Sequence, residues 1–128
     1  MPATAARRIL LLGTENSDGT VTGVTATQSS APIDCSGLGV STVYLRSVGT
    51  TSGGTVLVEG ADWGPLETIY SGTWATIASI AASTFTGGAQ TQVSLANSSQ
   101  RWVRVRISGA ITGGGTILAS IAQQGGGA

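Results

Sequence analysis

Segments in which apolar and polar residues alternate recur along this chain, separated by stretches rich in glycine, serine and threonine. A period of two residues is typical of a half-buried β-strand, because successive side chains of a strand point to opposite faces of its sheet. The clearest case covers residues 102–107. One face of this segment holds Val103, Val105 and Ile107, and the other holds Trp102, Arg104 and Arg106.

The whole pattern predicts an all-β protein. Seven more strands are expected at residues 7–12, 20–27, 43–48, 55–59, 73–80, 90–95 and 116–122. No long amphipathic helix is indicated, and glycine marks most of the turns. Short strands at this spacing favour two antiparallel sheets packed face to face. We therefore expect an antiparallel β-sandwich, jelly-roll-like, with an extended N-terminal arm.

Three regions follow from the changes in this pattern. Residues 1–39 form the predicted arm and edge-strand region, residues 40–122 the β-sandwich core, and residues 123–128 a glycine-rich tail. Within the core, glycine-containing turns at residues 49–54 and 109–115 predict two hairpins.

The amino-acid composition limits the kinds of function that this chain can have. The chain has no histidine or lysine and a single cysteine, Cys35, so most of the side chains used for nucleophilic, general-base and metal-ligand chemistry are missing. We expect no catalytic residues, no metal and no cofactor, and Cys35 is predicted to be a small buried residue. Charged residues make up only 9% and the net charge is zero, which predicts a surface largely covered by partners. No segment reaches the ~20 apolar residues of a membrane span.

Three carboxylates lie close together in sequence, at Glu59, Asp62 and Glu67. Paired carboxylates can hydrolyse a glycosidic bond, and carboxylates with backbone oxygens can bind calcium. The interpretation we favour is structural: Glu59 or Asp62 pairs with an arginine across the sheet.

Arginines and aromatic residues suggest two further kinds of binding site. A stripe of Arg101, Arg104 and Arg106, joined by Arg46, with Trp102 can stack on nucleic acid, but the neutral charge argues against it. Contacts between these arginines and a partner's carboxylates fit better. A platform for sugar rings is the other alternative, with Trp74 in the core as the structural interpretation. The aromatic residues considered for that platform are Tyr44, Trp63, Tyr70, Trp74 and Trp102.

Two strings within residues 40–122 carry a resemblance to a known group of proteins. They are SGGTVLVEGADW at residues 52–63 and VRVRISGAITGGG at residues 103–115. In these strings and in VYLRSVG at residues 43–49 the chain resembles small virion structural proteins of tailed bacteriophages. The resemblance implies a capsid decoration (cement) protein or a tail component, and it marks no catalytic site.

The function expected from this resemblance is a non-enzymatic decoration protein on the capsid exterior. It would assemble in the host cytoplasm, form a homo-oligomer, expected to be a trimer, and clamp neighbouring major capsid protein subunits. Neither nucleic acid nor a membrane is an expected partner. The arm at residues 7–27 is expected to contact the capsid, and the partner-binding residues expected are Arg7, Arg8, Trp102, Arg104 and Arg106. The alternatives are a tail, neck or baseplate component and a carbohydrate-binding host-recognition module.

Overall fold

The computed structural model describes residues 6–35, 38–61, 73–85, 90–95 and 101–125. Most of this part of the chain is strand, and its one helical segment is a short 3₁₀ turn at Ala82–Thr84. The strands are β1 (Ala6–Leu12), β2 (Thr14–Glu15), β3 (Val21–Thr22), β4 (Gln28–Ser29), β5 (Ile33–Asp34), β6 (Leu38–Val48), β7 (Gly53–Ala61), β8 (Ala75–Ala81), β9 (Gln90–Ser94), β10 (Trp102–Thr112) and β11 (Thr116–Gly125). Among the described residues, no helix has the length and apolarity needed to cross a lipid bilayer.

Two antiparallel sheets make up the body of the protein. One has the strand order β1-β11-β6-β9, and the other has the order β4-β10-β7-β8, with β5 also paired to β10. The short strands β2 and β3 form a separate two-stranded hairpin. The prediction of an all-β, antiparallel sandwich is confirmed.

The core lies between the two sheets and is built from the inward positions of the alternating strands. The four-stranded sheet contributes Val43, Leu45, Ile117 and Ile121, and the other sheet contributes Val56, Val58, Val103, Val105 and Ile107. All nine are at most 1% exposed. Burying each such side chain stabilises the fold by about 1.5–3 kcal/mol, which makes this shared layer the main source of stability. The predicted inward face of residues 102–107 is thereby confirmed.

The two predicted hairpins are wrong, because each glycine turn carries the chain from one sheet to the other. Strand β6 pairs with β11 and β9, whereas β7 pairs with β10 and β8. Strands β10 and β11, on either side of the second turn, likewise lie in different sheets. The two turns contact each other: the Gly115 amide donates to the Thr50 carbonyl at 2.6 Å, and the Ser52 amide donates to the Thr112 carbonyl at 2.9 Å.

The 3₁₀ turn between β8 and β9 is anchored by two buried hydroxyl groups. Thr51 Oγ1 donates to the carbonyl of Ala82 at 2.7 Å, and Ser47 Oγ donates to the carbonyl of Phe85 at 2.8 Å. Phe85 itself is fully buried in the core. These two hydrogen bonds fix the segment in which the chain crosses from one sheet to the other, and no charged side chain takes part in them.

The N-terminal region differs from the arm that the sequence predicts, because it is built into both sheets. Strand β1 pairs with β11 along its length, and β4 and β5 pair with β10. Leu12 is 3% exposed and belongs to the core, and Val24 and Ile117 exchange two backbone hydrogen bonds. Removing residues 1–27 therefore takes away an edge strand together with part of the core, and we expect it to destabilise the sandwich.

The expected glycine-rich tail also begins later than predicted. Strand β11 continues to Gly125, and Gln123 is 1% exposed. The side-chain amide of Gln123 donates to the sulfur of Cys35, a free thiol that is partly buried against the core. Residues 126–128 lie outside the described part of the chain.

Candidate functional site

One buried carboxylate organises the outer face of the β4-β10-β7-β8 sheet. Glu59 in β7 lies directly opposite Arg104 in β10, and its side chain is 4% exposed. Arg104 Nε donates to Glu59 Oε1 at 2.8 Å, and Arg106 donates through Nε and Nη2 to the same carboxylate at 3.1–3.2 Å. The predicted pairing of Glu59 with an arginine across the sheet is confirmed, whereas Asp62 and Glu67 lie outside the described residues.

The two arginines decide the ionisation of this carboxylate. Burial on its own raises the pKa of Glu59, but the hydrogen bonds and positive charges of Arg106 and Arg104 outweigh burial and hold the pKa below its ordinary value. The carboxylate is therefore ionised at neutral pH, and its role is to neutralise the two guanidinium groups.

Tryptophan and arginine side chains continue the same surface toward one end of the sheet. Trp102 is 3% exposed and packs against Ala61 and the partly buried Trp74. The guanidinium of Arg104 lies 4.4 Å from the centre of the Trp74 ring, and that of Arg101 lies 4.8 Å from the Trp102 ring. Such contacts are favourable because the face of an aromatic ring attracts a cation.

Arg101 also pairs with Asp34 of β5 at 3.4 Å. We call the whole surface the arginine–tryptophan face; it consists of Asp34, Glu59, Trp74, Arg101, Trp102, Arg104 and Arg106. Its indole nitrogen Trp102 Nε1 is buried and finds no acceptor within the part of the chain that the structure describes.

The structure brings three of the predicted partner-binding residues together on this face, namely Trp102, Arg104 and Arg106. Arg8 lies instead in β1, at the edge of the opposite sheet. The backbone of Arg7 is paired in the same strand, but its side chain lies outside what the structure describes.

The prediction that Arg46 joins the stripe of Arg101, Arg104 and Arg106 is wrong. That residue belongs to β6, which lies in the other sheet. The sugar platform is divided in the same way, because Tyr44 is also in β6 while Trp74 and Trp102 pack on the arginine–tryptophan face. Trp74 lies on that outer face and not in the core between the sheets, and Trp63 and Tyr70 fall outside the described residues.

A second candidate site, which the sequence did not reveal, is a groove of about 300 Å³ on the outer face of the β1-β11-β6-β9 sheet. Residues from all four strands of this sheet and from the β2–β3 hairpin surround it. They include Arg8, Leu10, Glu15, Val21, Tyr44, Arg46 and Ser120. The outward position of each strand residue is implicit in the alternation, but the strands are distant in sequence, so no local signal places these residues together.

In the described ranges no three His, Cys, Asp or Glu side chains come together in a way that could hold a metal ion. Comparison with known proteins gives no matching family model and no matching curated protein.

Proposed function

We propose that this chain is a non-enzymatic structural protein of a tailed-bacteriophage virion. In its most specific form, the proposal is a capsid decoration protein that binds the capsid exterior as a trimer. There it stabilises contacts between subunits of the major capsid protein after assembly in the host cytoplasm.

The observation that carries the proposal is the position of the two strings that resemble phage virion proteins. The string at residues 52–63 supplies β7 and the string at residues 103–115 supplies β10, and these two strands are paired. Glu59 from the first string binds Arg104 and Arg106 from the second. The resemblance thus falls on residues that form one structural unit, which is what a shared architecture requires.

The strand order supports the jelly-roll part of the expectation. Each sheet has four principal strands, and the chain crosses between the sheets at both glycine turns and again between β8 and β9 and between β9 and β10. Double-sheet jelly rolls are found in viral capsid and lectin domains among others.

The charge arrangement also supports a protein that works by contact. On the arginine–tryptophan face the charges are paired within the chain, and Arg106 keeps 37% of its side-chain surface exposed. Arginine with part of its surface free, beside aromatic residues, is enriched at protein interfaces. Arg104 and Arg106 remain proposed contacts on this basis, whereas Trp102, which is 3% exposed, packs beneath this surface and is not available to a partner.

Purified virions of the phage whose genome encodes the chain test the proposal. We expect quantitative mass spectrometry to find hundreds of copies per particle and cryo-electron microscopy to place a trimer on the outer capsid. Small multiples of three or six would assign the protein to a tail, neck or baseplate. Absence from virions, or a coding sequence remote from any head or tail genes, would contradict a virion role altogether. Binding of the purified protein on a glycan array would then favour the carbohydrate-binding alternative.

A further inference from the structure

We infer that the groove on the β1-β11-β6-β9 sheet is a docking site for an extended segment of a partner protein that carries acidic side chains on either side of an apolar one. This inference deepens the proposed function, on which it rests for the identity of the partner as a virion protein. The chemistry of the groove itself is independent of that identity.

The shape of the groove follows from the register of three strands. Ser120 of β11 lies between Leu10 of β1 and Tyr44 of β6, since both are its direct partners across the sheet. A small side chain between two larger ones leaves a depression along the central strand. Neighbouring strands are about 4.8 Å apart, so the two walls stand roughly 10 Å from each other. That is wide enough for one extended chain.

The arginines of the groove differ from those of the arginine–tryptophan face, because no carboxylate in the described part of the chain neutralises them. No carboxylate of the described residues lies within ion-pair distance of Arg8 or Arg46, whereas Arg101, Arg104 and Arg106 all have acidic partners. Arg8 instead lies 5.8 Å from the centre of the Tyr44 ring. Glu15 is the single carboxylate along the described lining, so the groove carries a net positive charge.

Apolar surface separates the two charges. Leu10 is 41% exposed and is one of two large apolar residues so exposed among those whose side-chain burial the structure describes. Together with the ring of Tyr44 and the side chain of Val21, it gives the groove an apolar middle. An apolar side chain of a ligand that packs on this middle is removed from water, which favours binding.

The strand rows fix the spacing that a ligand needs. Arg8 lies one row to one side of Leu10 and Tyr44, and Arg46 lies one row to the other side. Successive rows on one face are about 7 Å apart, which is also the distance between residues i and i+2 of an extended chain. An extended segment with the pattern acidic–x–apolar–x–acidic therefore matches the groove in charge and in spacing.

A peptide titration tests this match on the intact protein. The probe is acetyl-Ser-Glu-Thr-Leu-Thr-Glu-Ser-amide, followed by NMR through the backbone amides of Leu10, Tyr44 and Ser120. We expect saturable shifts at these amides, none at the indole N–H of Trp102, and weakening by added salt. Arg8→Gln and Arg46→Gln should each raise Kd about three- to tenfold, and Glu15→Gln should lower it.

Matched controls separate the groove from general charge effects. Arg101→Gln removes the same charge from the other face and should leave Kd unchanged, and a probe with lysine in place of both glutamates should not bind. The inference is overturned if the acidic probe causes no shifts at millimolar concentration, or if Arg101→Gln weakens binding as much as Arg8→Gln. Equal binding of N-acetylneuraminic acid would assign the groove to acidic sugars, which also overturns it.

The virion test distinguishes failure of this inference from failure of the proposed function. If the unmodified protein binds particles and the double variant Arg8→Gln, Arg46→Gln binds them equally well, the groove is not the docking site but the proposed function stands. If the peptide binds as expected while the protein ignores virions, the proposed function fails and the groove chemistry stands. Self-association abolished by the double variant would identify a second copy as the occupant, against the inference.

Discussion

Replacing Glu59 with glutamine removes the one negative charge that two arginines share on the arginine–tryptophan face. The change keeps the shape of the side chain. It leaves one acceptor oxygen, and it turns an amide NH₂ group toward guanidinium groups that can only donate. Oε1 accepts from the Nε of both arginines and can still do so, but the NH₂ group replaces Oε2, which accepts only from Arg106. Arg106 therefore loses part of its hydrogen bonding within the sheet, and both guanidinium groups lose the charge that neutralises them.

The size of the effect follows from how deeply each partner is buried. Breaking a fully buried ion pair costs roughly 3–5 kcal/mol, and breaking an exposed pair costs about 0.2–1 kcal/mol. The Glu59 side chain is 4% exposed, whereas the side chains of Arg104 and Arg106 are 22% and 37% exposed. Water still reaches the guanidinium groups after the change, so we place the loss between these limits, at about 2 kcal/mol of the free energy of unfolding.

The same sheet offers a matched control. Asp34 pairs with Arg101 at 3.4 Å, and its side chain is 42% exposed. Asp34→Asn removes the same charge from a more exposed pair, and we expect a loss of about 0.5 kcal/mol. Urea denaturation followed by far-ultraviolet circular dichroism measures both variants, and thermal melts should show a fall in Tm of about 4 °C for each kcal/mol.

A loss for Glu59→Gln no larger than that for Asp34→Asn would refute the reasoning. It would mean that burial of this carboxylate does not determine what its two ion pairs contribute. Changes in tryptophan fluorescence alone are not a substitute for the denaturation curves, because Trp74 stacks on Arg104 and reports local rearrangement.

Two further predictions concern pH and one glycine turn. Since the folded-state pKa of Glu59 is lowered, its contribution is complete above the ordinary pKa of about 4.3 and is lost as the pH falls through the folded-state pKa. Between pH 6 and pH 3, Tm should fall further for the unmodified protein than for Glu59→Gln; parallel curves would contradict this. Gly113 and Gly114 both have positive φ, at +107° and +95°, but only at Gly113 would a Cβ come within 2.8 Å of the Ser52 backbone. Gly114→Ala should cost about 1 kcal/mol and Gly113→Ala about 2–3 kcal/mol in urea denaturation, and equal losses would show that the turn relaxes freely.

The alternation of β10 could be predicted because its cause is local. Whether a side chain faces the core depends on its parity along the strand, and the apolar residues of that strand occupy every second position. Pairing of Glu59 with an arginine was predictable for a similar reason, since a buried carboxylate requires a cation and only arginine is available in this chain.

Sheet membership is not encoded in the same local pattern. Strands β6 and β7 have the alternation and the glycine-containing connection of a hairpin, yet they pair with different neighbours. The connection instead packs against the turn between β10 and β11, through hydrogen bonds that join Thr50 to Gly115 and Ser52 to Thr112. Because these contacts join residues that are sixty or more positions apart in sequence, the pattern on either side of the turn does not reveal them.

The zero net charge of the chain hides an uneven distribution between its two outer faces. On one face Arg101, Arg104 and Arg106 are held by Asp34 and Glu59. On the other face Arg8 and Arg46 have no such carboxylate among the described residues, and an exposed leucine lies in the row between them. The low charge content of the whole chain favours a surface covered by partners, but it does not indicate which part of the surface binds them. Since an arginine already paired to a buried carboxylate has less to gain from a second acidic partner, recognition of acidic groups is expected at the groove and not at the neutralised face.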